Sequence, residues 1–381
     1  MSQEPWGDIP LFREIQRILS SSEGPVNTEI ATQVASAVAS QDGDPPPDAG
    51  RGRELSDAVH QAEMMLAGYT RLAVDEPASV RVLGRTEWAR DTLAAWRWIF
   101  EHLAGRFTGA LGGETGEDAV DNPGLAAAMG QVAPLLVGIQ VGTLVGHLAP
   151  RALTRYDHPI PREDDGRLLF VDPNIAGIAR DYAFDNAAFL RWLAFESVAR
   201  HLVLRHAPWI NRYWRSLIVE VVDAMEIDVG ELQARMSDLQ SQGPEALQEG
   251  FGSGTALPVV PTERHRAALS RLRSFVAAIE GYARHAVTQV GSLSPDDDTQ
   301  IEEGMARRKR DQNEGESMLE ALLGVSFDHE LEAAGATFCA AVVKLRGIAA
   351  LNTMWAAPDN LPSYEEIRDP FQWMERILDE G

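Results

Sequence analysis

Phe189-Leu190-Arg191-Trp192-Leu193-Ala194-Phe195-Glu196-Ser197-Val198-Ala199-Arg200-His201-Leu202-Val203-Leu204 is the stretch on which the reading of this chain turns. Leu190, Leu193, Ala194, Ser197, Val198 and His201 recur at the spacing of one buried helix face. No Gly or Pro interrupts the run before Ala207-Pro208, where a helix stops because a residue ahead of proline is pushed out of the helical region. Glu196 sits in the middle of this apolar helix. A carboxylate in such a place is paired, protonated or part of a site.

Working outward, Arg167-Leu168-Leu169-Phe170-Val171 reads as the clearest strand, opened by Asp165-Gly166 and closed by Asp172-Pro173-Asn174. Val80-Arg81-Val82-Leu83 reads as a second, shorter strand. Helices are expected from Thr86 to Phe107, with Trp88, Trp96, Trp98 and Phe100 as core, and from Trp209 to Met225. A long helix carries Leu269, Leu272, Phe275, Ile279 and Glu280, placing a second carboxylate beside an apolar stripe. Further helices are expected around Met318–Leu323 and His329–Asn352, with a closing one through Trp373 and Ile377. Gly109–Gly124 reads as a loop, and Gly243–Pro261 as a surface loop or a lid over a cleft.

The run Val132–Ala149 has no formal charge but is short for the roughly 20 residues that a membrane span requires. Gly138, Gly142 and Gly146 recur every fourth residue and offer a smooth stripe for another helix, so a fully buried helix is expected rather than a span. Ahead of it, Asp8–Ile15 begins a short helix and Asn27 caps another through Ile30, Val34 and Val38. Residues 41–53, Gln-Asp-Gly-Asp-Pro-Pro-Pro-Asp-Ala-Gly-Arg-Gly-Arg, have the composition of a linker.

The 381 residues suffice for a large core, and a formal net charge of -23 excludes nucleic-acid binding driven by overall charge. Arg307-Arg308-Lys309-Arg310 is followed at once by acids and reads as a solvated helix face. The N-terminus has no signal-peptide pattern, and the single cysteine, Cys339, permits no internal disulfide; together these point to the cytoplasm. Cys339 lies in an apolar run and is expected to be buried and inert. Asp296-Asp297-Asp298 suits a helix N-terminus better than a weak Ca²⁺ site. Nucleophile elbows, Walker loops and dinucleotide-binding glycine motifs are lacking.

Several segments, each weak alone, occur in an order and spacing that resemble a known family. They are Phe12–Arg17 with Gly24-Pro25-Val26-Asn27, Leu153-Thr154-Arg155-Tyr156-Asp157, Phe170-Val171-Asp172-Pro173-Asn174-Ile175, Arg191-Trp192 leading to Phe195-Glu196, Ile279-Glu280-Gly281-Tyr282, and Leu361-Pro362 with Glu366-Ile367 and Asp369–Trp373. The chain is thereby similar to the zincin-like zinc-dependent metallopeptidases widespread in actinobacteria, some of them linked to deazaflavin-cofactor biosynthesis. That family carries His-Glu-x-x-His on the helix after the Pro-Asn-Ile segment, two imidazoles one turn apart that bind zinc and a carboxylate that polarises its water. A Glu in a later Glu-Gly-His context resembles the third ligand.

Aligned on that motif, this chain has Phe195-Glu196-Ser197-Val198-Ala199, so Phe195 and Ala199 replace both histidines; Glu280 is kept and Tyr282 stands for His. The resemblance implies a mostly α (α+β) zincin-like helical domain over residues 54–381, with a small β-sheet beside the motif helix and a helical appendage and linker over 1–53. It implies a catalytically degenerate homologue that keeps its scaffold for binding or structure, with Phe195, Glu196, Ala199, Glu280 and Tyr282 as vestigial site positions. No cofactor is expected, and the partner is an unnamed protein or a second copy. The alternative is a metal-dependent hydrolase with a different ligand set, such as His201, Glu280 and His285, with zinc then bound. Glu196 is otherwise a buried acid held by Arg155, Arg200 or Arg284.

Overall fold

The structure, a computed structural model, describes residues 24–72, 76–114, 123–163, 165–227, 230, 259–260, 262–291, 295–323 and 329–379. In chain order the elements are α1 (Thr28–Ala39), α2 (Arg51–Thr70), β1 (Ser79–Leu83), α3 (Arg85–Glu114), α4 (Pro123–Leu148), β2 (Arg167–Val171), α5 (Asp172–Asp181), α6 (Asn186–His206) and α7 (Trp209–Asp223). There follow β3 (Glu226–Ile227), β4 (Val259–Val260), α8 (Glu263–Val290), α9 (Pro295–Arg310), α10 (Glu314–Leu323), α11 (His329–Arg346), α12 (Ile348–Leu351), α13 (Tyr364–Arg368) and α14 (Pro370–Met374). The fold is mostly helical, with two small sheets among the described residues: β1 pairs parallel with β2, and β3 pairs antiparallel with β4. The expected Asp8–Ile15 helix, the Phe12–Arg17 segment and most of Gly243–Pro261 lie outside the described residues.

The glycine stripe of α4 is taken up by α1. A Cβ added at Gly142 would come within 2.6 Å of the Ala31 carbonyl oxygen, and one at Gly146 within 2.6 Å of Val38 Cβ, so only glycine admits this approach. The Asn27 side chain caps α1 by accepting from Ile30 N at 3.0 Å, and Asn27 N donates to Pro134 O at 2.9 Å. The helix is not buried all round as expected, since Ile139 stays 36% exposed. No described helix is long and apolar enough to cross a membrane.

The polar stretch 41–53 is tied down rather than free. Asp44 accepts from Arg85 N and Thr86 N and so caps α3, while Asp48 N and Arg51 Nε both donate to Asp172. Residues 51–53 already belong to α2. Two other expectations need correction. The helix through Trp96 runs on to Glu114, into the stretch read as a loop, of which residues 115–122 lie outside those described. The last long helix divides at Gly347, whose φ of +84° suits glycine alone.

The central helix α6 lies between α2 and α8, with β2 along one side. Asp185 caps it, accepting from Ala188 N at 2.9 Å, and Ala207-Pro208 ends it. The family-like segments around it hold backbone together. Asn174 donates to the carbonyls of Ala149 and Ala152 and accepts from Arg85 Nε. Asp157 gathers the backbone N–H groups of Leu153 and Thr154, and Tyr156 Oη lies 3.0 Å from His201 Nδ1.

Candidate functional site

A cleft of about 620 Å³ opens between α6, α8, α9 and the turn after α4, within the size range of small-molecule sites. Its apolar lining includes Trp192, Leu193, Val276, Ile279 and Met305. Glu196 from α6 and Glu280 from α8 both line it, so the two carboxylates singled out in the sequence do converge. Between them stands Arg200, one turn along α6 from Glu196. Its Nη1 donates to Glu196 Oε2 at 2.7 Å and to the Glu196 carbonyl at 2.7 Å. Its Nε and Nη2 fork onto Glu280, at 2.9 Å to Oε1 and 2.6 Å to Oε2. Two-pronged pairing of this kind is the strongest that Arg makes with a carboxylate.

Electrostatics follow the geometry. Burial alone would raise the Glu280 carboxyl, but the Arg200 charge and its hydrogen bonds outweigh burial and hold it below its ordinary range. Burial would lower the Arg200 guanidinium, and the two carboxylates instead hold it well above its usual value. The three groups form one neutralising unit with a single charge left over. Farther along the cleft, burial raises the Glu302 carboxyl, Arg284 opposing.

Phe195 and Ala199 are fully buried and do not line the cleft. Tyr282 is turned into the core: its hydroxyl donates to Asn352 Oδ1 at 2.7 Å and its ring packs edge-on against Trp355. Both histidines weighed as substitute ligands are engaged by tyrosines, His201 Nδ1 with Tyr156 Oη at 3.0 Å and His285 Nε2 with Tyr69 Oη at 2.8 Å. Cys339 is buried as expected, and burial pushes its thiol up.

The sequence reading missed the cleft's basic floor. Arg308, placed on a solvated face by its neighbours, is only 7% exposed. Its Nη2 donates to the Arg151 carbonyl while Arg151 Nη2 returns a bond to the Arg308 carbonyl at 2.6 Å. Arg151 also pairs with Glu316 at 3.1 Å, and Lys309 with Glu332 at 3.2 Å. Of the four basic residues Arg308 alone is buried; Arg307, Lys309 and Arg310 stay exposed, as a solvated face requires.

Set against known proteins, the chain matches a family model described as zincin-like metallopeptidase over residues 26–374. It belongs to that family. A chain of known structure from Chloroflexus aurantiacus, described as a candidate hydrolase with a novel fold, is 26% identical. The likeness covers 93% of this chain and all of that one, with a TM-score of 0.67. No curated protein matches.

A zincin-like site calls for zinc, which takes three protein ligands from His, Cys, Asp or Glu when catalytic. The residues present do not fit it. The two carboxylates that converge are already bridged by a guanidinium, and the described residues contain no cluster of three or more such donors.

Proposed function

We propose that this zincin-like chain is a degenerate metallopeptidase homologue, a pseudoenzyme that keeps the family scaffold and cleft for a binding or structural role. One observation carries the reading: Arg200 spans Glu196 and Glu280 with four side-chain hydrogen bonds of 2.6 to 3.1 Å. A bound ion and this guanidinium are alternatives, because both need the same carboxylate oxygens. The arrangement also lacks a residue to activate water, as Glu196 is bound to Arg200 instead of facing an open coordination position. What remains is a half-apolar, half-charged cleft suited to holding a partner segment.

The test is metal content. After loading with zinc and desalting, the protein should retain none in stoichiometric amount. Retention of about one zinc per chain, lost on Glu196→Gln or Glu280→Gln, would overturn the proposal.

A further inference from the structure

The helix that carries the motif places the site one residue away from where the alignment puts it. On α6 the residues lining the cleft are Trp192, Leu193, Glu196, Ser197, Arg200 and Leu204. At about 100° per residue these fall within an arc of about 140°, centred near Arg200. Phe195 and Ala199 lie about 100–140° from that centre, and both are fully buried. Two donors one turn apart can share an ion with Glu280 only if they project into the cleft that Glu280 lines. Positions 196 and 200 meet this condition, as their contacts with each other and with Glu280 demonstrate.

We infer that positions 196 and 200, with Glu280, are the metal-facing positions of this scaffold, and that the Arg200 guanidinium stands where the ion would. This rests on the reading of the chain as a degenerate member of its family. In the shifted register Glu196 takes a ligand position, and the residue beside it, where a water-polarising carboxylate belongs, is Ser197. Three changes, not two, separate the chain from a working motif: Glu196, Ser197 and Arg200. Phe195 and Ala199 are then ordinary core residues.

Arg200→His supplies the most direct test, because it replaces the internal cation with an imidazole between two carboxylates. Glu196→His/Arg200→His is the second variant, and Phe195→His/Ala199→His tests the unshifted register. Zinc affinity is read by competition with a chromophoric chelator, Co²⁺ binding by visible absorption, and folding by circular dichroism with and without zinc. Second-shell partners alone are worth about 10–100-fold in metal affinity, so a ligand gained should tighten zinc by at least about 100-fold over wild type. That is expected for both variants at position 200, including a variant that folds only when zinc is present. No gain is expected for Phe195→His/Ala199→His.

The inference is overturned if the Phe195/Ala199 variant gains zinc and the position-200 variants do not. It is equally overturned if the position-200 variants fold without gaining zinc, or stay unfolded with zinc present. Stoichiometric zinc in the wild-type protein is a separate outcome. It defeats the degenerate reading itself, whatever the variants do.

Discussion

Two arginines in this molecule, Arg200 half-buried in the cleft and Arg162 buried in the core, sit in opposite surroundings. Arg200 is enclosed by two carboxylates that accept from Nε, Nη1 and Nη2. Arg162 lies over the faces of Trp88 and Trp96, 5.5 Å from each, with Asp91 no closer than 3.6 Å. Its Nη2 donates to Thr92 Oγ1, while Nε and Nη1 have no hydrogen-bond acceptor. The Arg200 guanidinium is held well above its ordinary value. Burial, with Arg155 nearby, lowers that of Arg162 to about 10. The lesson is that burial of a cation does not fix its energetic role; the acceptors around it do. Arg200 neutralises a site that would otherwise repel itself, whereas Arg162 serves mainly as a flat, polarisable plate between indoles.

The largest effect should come from removing the first cation. Arg200→Met strands two half-buried carboxylates and is expected to cost about 1–3 kcal/mol in urea or guanidinium unfolding. The triple variant Glu196→Gln/Arg200→Met/Glu280→Gln should recover most of that loss, since no charge is left unpaired. If the triple variant is as unstable as the single one, packing rather than charge explains the contact.

Arg162→Met should be milder, about 1 kcal/mol or less, because methionine keeps the contact with both indoles and removes two unsatisfied N–H groups. A loss as large as that of Arg200→Met would erase the contrast between the two sites.

A third test uses pH, and His158 beside Arg162 is the probe. Its ring packs against Trp88 and Trp96, and burial lowers its pKa from 6.5 to about 4. Between these values the unfolded chain binds a proton that the folded one refuses, so stability falls as pH drops from about 6.5 toward about 4. His158→Phe should flatten that part of the stability–pH curve. Glu280 titrates in the other setting. Its depressed pKa contributes stability that is present above the ordinary carboxylate range and lost as pH falls through its folded value. Glu280→Gln should therefore lower stability at neutral pH and remove this group's share of the loss on acidification.

The smallest effect concerns metal. With Arg200 as the resident cation, a chelator should leave Tm within about 1 °C of its starting value, as nothing that binds the folded state is withdrawn. A fall of several degrees would mean that the cleft holds an ion alongside the guanidinium.

Much of the scaffold is legible in the residues. The strand Arg167–Val171, the helix through Phe195 and the glycine stripe of α4 follow from period, turn residues and size. The convergence of Glu196 and Glu280 is also legible, through the family resemblance. Which side of α6 faces the cleft is not, because that helix buries residues on every side, Phe195 and Ala199 as fully as Leu193 and Val198, and periodicity then has no contrast to report. The signal that was available is the Glu196–Arg200 pair, opposite charges one turn apart inside an apolar helix. Arg308 is illegible for a different reason. Its burial depends on Arg151, which lies 157 residues earlier in the chain, and local composition says nothing of that partner.

One contact away from the cleft governs how tightly it can be set. A Cβ at Gly281 would come within 2.2 Å of the Gly335 carbonyl carbon, and one at Gly335 within 2.2 Å of the Ala277 carbonyl oxygen. Here α8 and α11 touch backbone to backbone, at the residue next to Glu280. The rotation of α8 about its own axis is thereby indexed against a helix that supplies the cleft with little beyond Glu332. The C-terminal third works as a jig: it holds the angle at which Glu280 is presented to α6, and a methyl group added to either glycine would turn the carboxylate without touching it.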